Sequence, residues 1–138
     1  LERDRIFCKH GLQHCLDVAR IGYILILEEG EPLDKELFYS AALLHDLGRV
    51  AQYEQEIPHH EAGKSLAALF LEKHGFSQAE NDIICEAIGA HRHNAKLKRT
   101  PLAEYLHRAD RLSRNCFMCS AKDRCNWREE EKNIRIDA

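Results

Sequence analysis

Ala41-Ala42-Leu43-Leu44-His45-Asp46-Leu47-Gly48-Arg49 is an apolar helical run that ends in an imidazole and a carboxylate side by side. Phe38, Ala41 and Ala42 precede His45 at helical spacings, so His45 shares their apolar side. Gly48 is expected to stop the helix. Burying a His-Asp pair is costly unless something compensates it. A divalent cation compensates both groups at once, since each is a good ligand. A hydrogen-bonded core histidine beside a capping aspartate is the alternative. The dipeptide alone does not choose between them; the rest of the chain does.

Helical periodicity extends outward in both directions. A first helix is expected over about 11–29, with His14, Val18, Ile21 and Leu25 on one face. Gly30 and Pro32 end it. Asp34 caps a second helix that carries Leu37, Phe38, Ala41, Ala42 and Leu44 inward and closes at His45-Asp46. Residues 49–58 read as a polar loop. A third helix runs from His59 to about His74, with His59, Gly63, Leu66 and Phe70 on one face. Ser77 caps a fourth, with Glu80 completing a capping box and Ile84, Ile88 and His91 inward. Gly89 inside it suggests the close approach of another backbone. Residues 92–100 form a basic loop that either steers an anion or is simply solvated. Thr100-Pro101 opens a fifth helix carrying Leu102, Leu106, Ala109 and Asp110. No strand pattern and no repeat occurs. The expected fold is all-α: five main helices followed by an irregular, Cys-containing tail.

Composition narrows the classes. The 138 residues suit one domain with one core, expected to span 1–138 with residues 114–138 packed on it as a tail. A net charge of -3 gives no global basic field, so no large nucleic acid is expected as partner. The longest apolar stretch, residues 21–27, falls far short of the roughly 18 residues of a membrane span. With no leader visible, the expected location is the cytoplasm. Six cysteines outside a secretory context point to metal ligation or core packing before disulfides.

Each expected helix contributes an ionisable group to its inward stripe: His14, His45 with Asp46, His59, His91 and Asp110. A lone histidine on an apolar face is usually a satisfied core residue. Five such groups would each need a separate buried partner, whereas one shared cation, or a pair, satisfies them together. Mixed imidazole and carboxylate ligands favour Mn, Fe, Co, Ni or Zn over calcium.

The order His14, His45-Asp46, Asp110, within the Ala-Leu-Leu-His-Asp-Leu-Gly and Arg-Ala-Asp-Arg-Leu contexts, resembles the HD-domain superfamily of metal-dependent phosphohydrolases over roughly residues 8–113. That resemblance implies an HD-type helical bundle in which His14, His45, Asp46 and Asp110 hold a first metal. It implies a second metal through His59, four residues before Gly63, with His60 as the rival, and through His91. The chain has His91-Arg92-His93 where the family often has two adjacent histidines. The Gly-Tyr-Pro extension of the cyclic-dinucleotide branch is absent. The implied activity is hydrolysis of a small phosphate ester, a nucleotide being the favoured class, by metal-activated water. Asp46 would bridge metals or move a proton. Arg49, Lys64 and Arg92 are candidates to neutralise phosphoryl charge, each reading equally as a solvated cation. The alternatives on the same scaffold are a di-iron oxygenase and a non-catalytic nucleotide- or metal-binding sensor. A homodimer is left open.

Cys116-x2-Cys119-x5-Cys125 resembles part of a zinc knuckle or iron–sulfur loop, with Cys8 as the candidate fourth ligand. Free thiols packed against Trp127 are the alternative. Cys15 and Cys85 read as core residues.

Overall fold

A computed structural model describes residues 6, 8–49, 59–90 and 99–137, without the side chains of 59–61. Among the described residues there are five α-helices and no strand: α1 (Leu12–Glu29), α2 (Lys35–Leu44), α3 (His59–Lys73), α4 (Gln78–Ala90) and α5 (Pro101–Leu112). Three one-turn 3-10 segments follow, Cys116–Met118, Lys122–Arg124 and Glu129–Glu131.

Local chemistry sets the helix ends. Asp34 accepts from the Leu37 N–H at 3.0 Å, and Thr100 from the Ala103 N–H at 3.3 Å with proline at the next position. Ser77 and Glu80 form a reciprocal capping box at 3.2 and 2.8 Å. α1 and α3 each end in a left-handed glycine, Gly30 at φ 68° and Gly75 at φ 84°. The following N–H groups return to Ile26 and Leu71.

α1 packs against α2 and α5, α3 pairs with α4, and α4 also meets α2 and α5. Val18, Ile26, Phe38, Ile84, Ile88 and Leu106 fill the shared core. α1 lies so close to its neighbours that a Cβ on Gly22 would run into the Phe38 ring and stand 3.0 Å from the Ala109 Cβ. No helix among the described residues is long and apolar enough to cross a membrane.

Three expectations need correction. The buried face of α3 is Gly63, Ala67 and Leu71, while Leu66 and Phe70 are exposed. Among the described residues, a Cβ on Gly89 would meet the Lys64 side chain and no backbone. Gly48 does not stop α2, which has already ended at Leu44. A tight turn continues instead, with Leu47 N–H bonded to Leu44 O and Arg49 N–H to Asp46 O, both at 3.0 Å. A Cβ on Gly63 would stand 3.2 Å from the Gly48 nitrogen. The Gly48–Gly63 crossing is thus the close backbone approach, and it seats the His45-Asp46 turn against α3.

Candidate metal centre

His14 lies on the first turn of α1, His45 caps the C-terminus of α2, Asp46 follows in the turn, and Asp110 sits on the last turn of α5. Packing of α1 between α2 and α5 brings the four together. His45 is wholly buried, His14 and Asp46 nearly so. His14 Nε2 lies 3.1 Å from Asp110 Oδ1 and 3.5 Å from Asp46 Oδ2. His45 Nε2 lies 3.3 Å from Asp46 Oδ2 and 3.9 Å from Asp110 Oδ1. Ligand atoms of His14, His45 and Asp110 all fall within 4.8 Å of one another.

These spacings fit a single cation. Atoms bound about 2.1 Å from one ion stand about 3–3.5 Å apart at octahedral or tetrahedral angles. Ring orientation fits as well. His45 Nδ1–H donates to the Ala42 carbonyl at 2.6 Å. The Ser113 hydroxyl donates to the Asp110 carbonyl at 2.7 Å, so its oxygen accepts from His14 Nδ1–H at 3.2 Å. Both rings therefore turn Nε2 toward the carboxylates, the arrangement that oriented imidazole ligands adopt.

The electrostatics are those of a tightly coupled cluster. Burial opposes ionisation of Asp46, yet the His14 and His45 imidazoles beside it hold its carboxyl far below the usual carboxylate range. Burial likewise opposes ionisation of Asp110, and His14, His45 and Arg114 overcome it. Burial disfavours charge on His45 too, but Asp46 and Asp110 raise its pKa well above the ordinary imidazole value. A cation held at His45 Nε2 would take the place of that proton, leaving the acids a positive neighbour in either case.

Arg49 Nε donates to Asp46 Oδ1 at 3.2 Å, and the same guanidinium lies 2.9 Å from His10 Nε2. Lys64 is elsewhere. It lines a cleft of about 340 Å³ with Asn81, Asp82 and Cys85 that holds none of His14, His45, Asp46 or Asp110. Lys64 directly follows Gly63, the residue turned to the His45 turn, and neighbours on a helix face different ways. The side chains of His59 and His60 lie outside the described residues, as do His91 and Arg92. Two residues escaped the sequence reading. Arg114 donates to Asp110 Oδ1 at 3.1 Å, and its guanidinium also lies 3.0 Å from His14 Nε2. Ser113 fixes the His14 ring. They follow Asp110 at i+4 and i+3, which puts all three on one helical face; that spacing was the available signal.

A family model described as "HD domain" matches residues 11–115. An uncharacterized protein of Clostridium beijerinckii is 42% identical over 98% of this chain and 84% of its own length. Ribonuclease Y of Enterococcus faecalis is 36% identical over 58% of the chain, and that of Oceanobacillus iheyensis 32% over 76%. The chain spans only 14% and 18% of those two proteins. No solved structure matches. The motif order, the all-helical fold and the family match agree: the chain belongs to the HD-domain family, whose members are typically metal-dependent phosphohydrolases.

Proposed function

We propose that this protein hydrolyses a small phosphate ester, a nucleotide being the favoured substrate, with a divalent ion held by His14, His45, Asp46 and Asp110. The observation that supports this most is the convergence of two Nε2 atoms and two carboxylates, each ring oriented through its Nδ1. When bound there, a divalent ion supplies Lewis acidity and lowers the pKa of water from about 15.7 toward 7. The side chains do the rest. Asp46 is anchored through Oδ1 by Arg49, which leaves Oδ2 directed at the imidazoles and able to take or pass a proton. Arg49, with Arg92 and Arg114, would balance the charge of a phosphoryl group. His59 and His91 are the proposed ligands of a second ion, and His60 remains the rival to His59. Lys64, on α3 one residue after Gly63, is a further candidate to balance phosphoryl charge.

The names of the ribonuclease Y relatives favour one further substrate, a phosphodiester in RNA. The test is a manganese-supplemented panel of p-nitrophenyl phosphate, nucleoside monophosphates and a short single-stranded RNA. Turnover of a monoester by the native chain, and none by Asp46→Ala at unchanged helical content, is the expected result. RNA cleavage alone would move the assignment to the second substrate. Iron-dependent oxygen uptake without hydrolysis, or tight nucleotide binding without turnover, would overturn the proposal in favour of an oxygenase or a sensor.

A further inference from the structure

The segment after α5 lacks a core of its own. From Arg114 to Asp137 the one buried apolar side chain is Ala121, while Met118, Ile134 and Ile136 are mostly exposed. Its regular structure is three single 3-10 turns. It folds back through a few polar ties: Asn133 Nδ2 donates to the Arg111 and Arg114 carbonyls at 2.6 and 2.8 Å, and Arg111 lies over the Trp127 ring. Chains with so little apolar burial are held by cross-links or metals. Cys116, Cys119 and Cys125 lie on this segment. Cys8, from the segment before α1, lines the same cavity of about 520 Å³.

Cys119 N–H closes onto Cys116 O at 3.2 Å, and Cys125 N–H onto Lys122 O at 3.3 Å, so the three tail cysteines stand on consecutive tight turns. All four are free thiols, three of them half-buried and Cys119 exposed. Cys8 interacts electrostatically with each of the other three and with Arg114, and Cys125 with the buried Lys132. The sulfurs ring the cavity without yet standing at ligand separation. Sulfurs bound to one zinc at about 2.3 Å lie about 3.8 Å apart, so a shared ion would draw these side chains inward.

We infer that Cys8, Cys116, Cys119 and Cys125 bind one zinc ion as four thiolates, tying the segment before α1 to the tail. Four thiols release four protons as four Zn–S bonds form, with no change of oxidation state. The product carries two negative charges, which Arg114 and Lys132 offset. A tetrathiolate site has no open position, so its role is structural. It fixes part of the wall of a cavity that His14, Ser113 and Arg114 also line.

The test uses the full chain purified under reducing, anaerobic conditions. Titration with a mercurial in the presence of a zinc indicator should release one equivalent of zinc. Cobalt reconstitution should give a near-ultraviolet thiolate-to-cobalt charge-transfer band. Cys119→Ser, whose side chain is exposed, should lose both signals while manganese-dependent hydrolysis is retained. Four freely titrating thiols with no zinc released and no cobalt band in the native chain would overturn the inference. A disulfide among the four, or iron–sulfur absorbance in the purified chain, would overturn it as well.

Discussion

At the scale of single residues, the account turns on how two imidazoles are aimed. Ser113 passes one hydrogen bond from His14 Nδ1 to the Asp110 carbonyl, coupling a ligand on α1 to the helix that carries another. Ser113→Ala removes that tie without touching a ligand, so manganese affinity should fall about 10- to 100-fold with helical content unchanged. Calorimetric titration measures this, and unaltered affinity would show that the His14 ring needs no such support. The four ligand candidates were legible in the sequence because each is a polar residue on an otherwise apolar stripe. Ser113 and Arg114 were not, because their partners depend on the approach of α1 to α5.

At the scale of elements, the helix ends were readable because capping chemistry is local, as at Asp34, Ser77 with Glu80, and Thr100. Faces were less so. α3 carries apolar residues nearly all round, including Leu66, Ala67, Leu69, Phe70 and Leu71, so periodicity could not select its buried side. The small residues Gly63 and Ala67 won because the His45 turn and α4 press close. Tightness also governs α1. Gly22→Ala should destabilise the fold by about 1–3 kcal/mol despite alanine's better helix propensity, since the new methyl meets the Phe38 ring. Pairing it with Phe38→Leu should recover part of the loss in denaturant midpoints, and a neutral Gly22→Ala would contradict the packing. The end of α1 is tied to α5 by Glu29, which accepts from Arg108 at 2.6 and 3.0 Å and from Tyr105 Oη at 2.5 Å. Arg108 chiefly, with Tyr105, lowers the Glu29 pKa from 4.5 to about 2. A depressed folded-state pKa contributes stability that is full above pH 4.5 and fades as the pH falls toward 2. The gap in urea midpoint between the native chain and Glu29→Gln should therefore be widest near neutral pH and close across that window. A gap independent of pH would show that the carboxylate's charge contributes nothing.

At the scale of the whole molecule, the helices form a scaffold that carries ligands from three elements to one place, and the tail folds back over the open end of α5. The three-helix convergence could be inferred from spacing, because a buried carboxylate such as Asp46 demands a partner. The sequence offers Cys8 as a fourth ligand beside the tail cysteines; that all four line one cavity depends on how the chain returns across more than a hundred residues of intervening fold. The central claim is that His14, His45, Asp46 and Asp110 share a single ion. Anomalous diffraction from crystals grown with manganese tests it most directly. A strong peak is expected about 2.1 Å from His14 Nε2 and His45 Nε2, with both carboxylates completing the set. A manganese-loaded crystal with no peak among these four side chains would contradict it.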